Sequence, residues 1–358
     1  MKILAINPGS TSTKIAVFEN DKCLFTETIR HDVDDLLQFR NISEQYEFRK
    51  EFIIETLHHF KVKVNDLDAV VGRGGLLKPI PGGVYAVNEA MIADLKVGIQ
   101  GEHASNLGGI IAHEIASKCE RKQIPSFIVD PVVVDELEDV ARLSGRPEIP
   151  RLSIFHALNQ KAVARRFSKD QGKAYTDLNL IVVHLGGGIT VGAHRKGRVV
   201  DVNNGLDGEG AFSPERTGTL PAGALARLCF SGKFQLSEVR RMITGSGGMV
   251  AYLGTNDARK VEDDALKGGD KKAKLVFDGM IYQVCKDIGA FATVLAGDVD
   301  AILITGGIAY SKYLIDSISK NVKFIAPVYP YPGEDEMQAL AESAYLALIG
   351  ELEIKEYN

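Results

Sequence analysis

Three short segments hold residue types suited to gripping a phosphate group: residues 7–14, 184–190 and 305–309. Small residues let main-chain N–H groups approach an anion, and side-chain hydroxyls add donors. In the first segment Asn7, Ser10 and Ser12 bring polar groups and Lys14 a point charge. In the second, Gly186, Gly187 and Gly188 follow His184, and in the third Gly306, Gly307 and Ile308 stand together. None is a Walker loop. Residues 9–14 read GSTSTK, without the second glycine or the Gly-Lys pair, and no G-x-G-x-x-G occurs. Singly, each is equally a hairpin turn, which recruits the same residues for steric reasons.

The elements that must position these loops are legible from periodicity. Residues 2–6 and 14–18 are apolar and β-branched, and 22–29 follow the turn Glu19-Asn20-Asp21, so the chain opens on three strands. The short link between the first two favours an antiparallel hairpin. At Leu178 the order restarts: 179–184, a glycine turn, 190–193, the turn Arg195-Lys196-Gly197, then 199–202. The repeat implies two domains of related topology, each presenting a loop, which together would clamp a nucleotide in a cleft between them. Helical spacing runs over 42–60, with Phe48, Phe52, Leu57 and Phe60 on or near one face. Further helices are expected at 88–96, 104–118, 153–167 (with Ser153 as a cap), 271–296, 311–319 and 334–350. Short strands are expected at 69–71, 127–129, 301–304 and 323–326. Strands alternating with helices argue an α/β fold. The expected boundaries are 1–150 and 151–336, with the last helix, about 337–358, packing back on the first domain.

At this point the residues reach a family. The opening LAINPGSTSTKIAVF resembles the first phosphate motif of the acetate and butyrate kinases, VVHLGGGITVGAH the second, and ILITGGIAYSKYLID the adenosine motif. VVGRGGLLKPIPGGVYAVN, GEHASNLGGIIAHEIA, FIVDPVVVDEL, SIFHALNQKA and GLDGEGAFSPERTGTLPAG are similar to the butyrate branch more than to the acetate branch. The likeness covers nearly the whole chain. The chain departs from the acetate branch in carrying FHALNQ instead of a longer histidine signature, and Gly187 instead of an asparagine. The resemblance implies two related domains of ribonuclease H-like, actin-like ATPase topology. It also implies reversible phosphoryl transfer from ATP to the carboxylate of a short-chain fatty acid, giving acyl phosphate and ADP, with magnesium. A carboxylate nucleophile is already ionised at pH 7, so the site needs positioning and charge neutralisation rather than a general base.

The resemblance also implies roles. Arg73, beside Gly74 and Gly75, and Arg216, in Pro214-Glu215-Arg216-Thr217, would hold the carboxylate or the transferring phosphoryl group; a guanidinium suits that planar group better than an ammonium. His156 would donate a hydrogen bond to the phosphoryl, with His103 and His184 nearby. Asp130 and one of Asp335 or Glu336 would lie near magnesium, which takes one or two carboxylates plus phosphates and waters. Asn7, Ser10, Ser12, Lys14 and Gly186 to Gly188 would serve the phosphates, and Gly306, Gly307 and Ile308 the adenosine. Phe155, Gly74 and Gly75 are expected to wall the acyl pocket. Each has an ordinary alternative: an exposed loop arginine, a structural histidine, or acids placed at a helix N-terminus for dipole reasons.

Other classes fit less well. The formal net charge of −5, with both signs dispersed, gives no electrostatic footprint for nucleic acid. No uninterrupted apolar run is long enough for a membrane span, and the opening residues do not read as a signal peptide. Four scattered cysteines without a CxxC suit a reduced, cytoplasmic protein. An acetate or propionate kinase is the near alternative. A hydroxyl kinase of the same superfamily would need a carboxylate base, which Asp130 offers. A nucleotide-dependent switch or filament protein would need an additional peptide-binding or polymer-contact region. A homo-oligomer is expected.

Overall fold

The computed structural model describes every residue, Met1–Asn358. Its strands are β1 (Lys2–Pro8), β2 (Ser12–Glu19), β3 (Lys22–Arg30), β4 (Ala69–Arg73), β5 (Val84–Ala86), β6 (Ser126–Val129), β7 (Asn179–Leu185), β8 (Ile189–Arg195), β9 (Arg198–Val202), β10 (Ala301–Gly306), β11 (Val328–Pro332) and β12 (Ile354–Lys355). They form two sheets, ordered β12-β5-β6-β4-β1-β2-β3 and β11-β10-β7-β8-β9. In each, three sequential strands pair antiparallel, and two later strands add parallel to the first. The strand order β3-β2-β1-β4-β6 in one sheet is therefore repeated as β9-β8-β7-β10-β11 in the other. The duplication read from the first hairpin extends to the parallel half as well.

The chain divides into two compact units: Met1–Val134 with Asp335–Asn358, and Asp135–Glu334. The boundary expected at 150 lies earlier because residues 135–150 are tied to the second unit. Glu136 takes the Lys161 ammonium at 2.9 Å and the Val199 amide at 2.7 Å, and the Glu138 amide bonds the Val200 carbonyl. The helix Glu336–Leu348 packs on β1 and β4, and β12 adds beside β5.

Burial follows the strand period. On β7, Ile181, Val183 and Leu185 face the helix Lys271–Val294, meeting Phe277, Met280, Val284 and Ile288 in one core. Leu180 and Val182 face the other way, onto Val163, Ala164 and Phe167 of the helix Ala157–Asp170. A strand covered on both faces reads as a continuous apolar run, as this one does. In the first unit Leu4, Ile6, Ile15 and Val17 pack against Ile53 and Leu57 of the helix Tyr46–His59 and Leu107 and Ile111 of the helix Asn106–Ser117.

Three expected elements differ. On the helix Tyr46–His59 the buried face is Arg49, Ile53 and Leu57, whereas Phe52 and Phe60 are 36% and 38% exposed. The helix expected from Ser153 begins at Ala157, with His156 at the N-cap position. Residues 151–156 are held irregular by the Arg151 guanidinium on Asp201 and Glu209, and by the Gly205 amide on the Ile154 carbonyl. Residues 323–326 form no strand. The strand lies at β11, whose Pro330 and Pro332 read as turn residues but are tolerated on a sheet edge.

Candidate active site

In the first unit the C-terminal ends of β1 and β4 bring Asn7 and Arg73 together, and the start of the final helix adds Glu336. One Glu336 oxygen, Oε2, accepts from Asn7 Nδ2 at 2.6 Å and from Arg73 Nη1 at 3.2 Å. Arg73 Nη1 also lies 3.4 Å from Asn7 Oδ1. Arg73 is thus a half-buried arginine held ready by neutral and acidic partners, not a loop arginine free in solvent. Asp335 is exposed at the N-cap position of that helix, without a capping bond. Of the two acids considered for this position, Glu336 is the one that meets the polar cluster.

Asp130 closes β6 in a left-handed backbone conformation and is almost wholly buried. Its Oδ1 accepts the Gly83 amide at 2.7 Å, and its own amide bonds the Gly83 carbonyl, which pins the glycine-rich segment after Arg73. Gly74 and Gly75 press against Pro131 and Asn106, so their small size is used for packing. His103 Nδ1 lies 2.8 Å from Ser105 Oγ, and burial, with the nearby Arg73 charge, lowers its pKa below the usual range. Neutral imidazole is therefore its resting form near pH 7. Ser10 and Lys14 are exposed, and Ser12 is half-buried, along the β1–β2 turn.

The second unit presents a different set at the ends of β7 and β10. The rings of His156 and His184 stack face to face, centroids 3.7 Å apart. His156 Nδ1 is 2.9 Å from Thr190 Oγ1, and His184 Nδ1 is 2.8 Å from Asn159 Oδ1. An amide oxygen only accepts, so His184 Nδ1 carries a proton. Its Nε2 lies 3.2 Å from Glu334 Oε1, an ion pair whenever the ring is protonated. Behind Thr190, Gln160 donates to its carbonyl and hydroxyl and meets His194, which in turn meets Tyr175. This buried network fixes the face on which His156 sits.

Gly186 to Gly188 make the β7–β8 turn, and Arg216 explains the last of them. A Cβ on Gly188 would collide with the Arg216 guanidinium, which lies across the turn and donates to the Gly205 carbonyl. Burial lowers the Arg216 pKa, opposed by the adjacent Glu215, and no carboxylate hydrogen-bonds its guanidinium. Gly306 ends β10 at φ +93°, where a side chain would strike the Leu185 backbone; Gly307 and Ile308 begin the short 3-10 turn that follows. The second phosphate-type turn and the third glycine loop are therefore neighbours, joined through the β7–β10 pairing.

No group of three or more His, Cys, Asp or Glu side chains is arranged to hold a metal, so the chain has no all-protein cage. A hard cation brought by a nucleotide would need only one or two carboxylates beside its phosphate and water oxygens. The acids that would supply them here are Asp130, whose Oδ1 holds the Gly83 amide, and Glu336, half-buried beside Asn7 and Arg73.

The acetokinase family model matches residues 148–325. Butyrate kinase 2 of Clostridium acetobutylicum is 60% identical over 357 residues, covering 100% of this chain and 99% of that protein. Butyrate kinase 1 of the same organism is 56% identical over the same length and coverage. The chain belongs to the butyrate kinases of the acetokinase family. Acetate kinase from Porphyromonas gingivalis superposes with a TM-score of 0.80 at 20% identity, covering 96% of this chain and 98% of that one, which shows the shared two-unit fold.

Two residues packed against these candidate groups were not among the expected ones. Glu334 stands next to Asp335 in sequence but meets His184, and only the fold separates the three adjacent acids. Arg49 is fully buried behind the first loop. Its signal was present in the sequence: it stands four residues before Ile53 and eight before Leu57, in the apolar phase of its helix.

Proposed function

We propose that the chain transfers the γ-phosphoryl group of ATP to the carboxylate of a short-chain fatty acid, butyrate or a branched relative, and runs the reverse reaction. The full-length identity to two butyrate kinases carries this reading. In it Arg73 and Arg216 neutralise the carboxylate and the transferring phosphoryl, and His156 donates to a phosphoryl oxygen. Asn7, Ser10, Ser12, Lys14 and Gly186 to Gly188 serve the phosphates, with His184 seating His156 by stacking, and Gly306, Gly307 and Ile308 serve the adenosine. Asp130 and Glu336 would be the carboxylates that hold a magnesium ion brought with ATP, and the ion would supply neutralising charge beside the phosphates. Phe155, buried beside His156, is the candidate wall for the acyl chain. Each methylene buried there is worth about 0.8 kcal/mol, so chain-length preference is graded rather than absolute.

The chemistry that these side chains perform is positional. The nucleophile needs no deprotonation, so a pair of arginines and a hydrogen-bond donor suffice to bring one anion to another and to hold the charge that spreads over the phosphoryl oxygens. Enzyme given ATP, magnesium and hydroxylamine is expected to form acyl hydroxamate with butyrate or isobutyrate, more slowly with acetate, and to release no ADP with glycerol. Release of ADP with glycerol and with none of the acids would overturn the reading. No helix is long and apolar enough to cross a membrane, and all four cysteines are free.

A further inference from the structure

The first phosphate loop is built on a buried cation. Arg49 is 0% exposed, and its guanidinium fills the inside of the β1–β2 turn. Nη1 donates to the Gly9 carbonyl at 2.7 Å, the Ser12 carbonyl at 3.1 Å and Thr13 Oγ1 at 3.2 Å, while Nη2 donates to the Ser10 carbonyl at 2.9 Å. Gln45 Oε1 accepts from Nε at 3.2 Å and from Nη2 at 2.9 Å, completing the shell. No carboxylate is among these partners.

Two consequences follow from elementary geometry. In a trans peptide the C=O and the next N–H point opposite ways, and the chain has no cis bond. With the Gly9 and Ser10 carbonyls turned inward onto Arg49, the Ser10 and Thr11 amides turn outward, on a stretch where Ser10 and Thr11 are exposed. The guanidinium also places an uncancelled positive charge directly behind those amides, where low dielectric keeps it from being screened. The neighbouring His31 registers that charge: burial and then Arg49 depress its pKa to about 4, and its Nε2 sits 2.8 Å from Thr13 Oγ1.

We infer that Arg49 is a positioning residue for ATP: it turns the amides of residues 10 and 11 toward the polyphosphate and lends the loop a positive charge, without itself touching the nucleotide. This rests on the reading that residues 7–14 hold phosphate. Gln45→Glu tests the charge separately from the geometry. The new carboxylate accepts the same two N–H bonds and cancels the cation, so the loop keeps its shape and the fold its stability. The expected result is an unchanged thermal midpoint, a Kd for ATP by calorimetry weakened about three- to tenfold, and a KM for butyrate changed less than twofold. Arg49→Lys keeps the charge but loses the fork, and is expected to raise the KM for ATP more than the KM for butyrate. ATP affinity within twofold of the parent in folded Gln45→Glu overturns the inference, as does an equal loss for both substrates. The Ser10→Ala, Ser12→Ala double variant separates the two layers. If it weakens ATP while Gln45→Glu does not, Arg49 is only structural and the loop reading stands. If neither changes ATP affinity, the loop reading fails and the Arg49 inference with it.

Discussion

At the scale of the residue, the two proposed arginines differ in how they are held, and this sets what their replacement should do. Arg73 is 35% exposed and shares Glu336 with Asn7, so its removal costs the fold little. Arg216 is packed over Gly188, with a main-chain carbonyl and no acidic hydrogen-bond partner. Arg73→Ala is expected to lower kcat by about a hundred- to a thousandfold, the usual cost of deleting one electrostatic contact to a transition state, with a thermal midpoint near that of the parent. Arg216→Lys is expected to lose a similar factor, because an ammonium cannot reproduce the planar fork, and turnover by either variant within tenfold of the parent would remove that residue from the proposed chemistry. Most of these positions were legible because glycines, arginines and histidines beside strand ends announce themselves in sequence. Arg49 was not singled out, since the phenylalanines beside it offered a more conspicuous stripe. The structure shows why that stripe misled: Phe48 and Phe52 pack on His31 at the flank, and the arginine holds the apolar phase.

At the scale of the element, the helix Lys271–Val294 shows how a core element can depend on pH. Asp287 Oδ2 accepts the Ala211 amide at 2.7 Å, and Gln283 Oε1 accepts the Phe212 amide at 3.0 Å, so the helix fixes the loop that leads to Arg216. Burial, only partly offset by the Ala211 bond and Lys286, raises the Asp287 pKa to about 6. A raised acid pKa means that the folded state binds the proton more tightly than the unfolded state does. The contribution is fully present below the unfolded value near 4 and is lost as pH rises through about 6. The loss is on the order of 3 kcal/mol, so Asp287→Asn, which keeps an acceptor without the charge, should gain stability over the parent at pH 7 and not at pH 4. Urea unfolding at the two values checks this, and an equal difference at both would exclude the buried carboxyl as its source. Sequence reading located this long helix to within two residues at its C-terminal end, because apolar periodicity over so many turns is hard to mistake. It misplaced the start of the helix at Ala157 and the position of β11 for the converse reason. There the outcome is set by tertiary ties to Gly205 and by an edge position that excuses two prolines, neither of which leaves a local signature.

At the scale of the whole molecule, the repeated strand order makes the chain two variations on one plan, but the units differ in continuity. The second, Asp135–Glu334, is one uninterrupted stretch with its own core on both faces of β7. The first needs its two pieces. The final helix buries Met337, Leu340, Ala341 and Ala344, and Tyr357 is 1% exposed, its hydroxyl donating to Asp94 at 2.7 Å and its carbonyl accepting from Asn88 at 2.8 Å. Without residues 335–358, β1 and β4 lose the helix that covers them, and Tyr357 alone, fully buried, is worth about 1.5–3 kcal/mol of apolar burial. That is a large fraction of the margin by which a domain of this size is stable. Residues 135–334 expressed alone should therefore unfold cooperatively on heating. Residues 1–134 alone should not, but should recover a cooperative transition when residues 335–358 are joined to them through a flexible linker. Circular dichroism melts of the three fragments read the outcome directly. A cooperative melt from 1–134 unaided would mean that the returning segment is an accessory to that unit's core. Failure of 135–334 would mean that the continuous unit, despite its separate core, draws its stability from the rest of the chain.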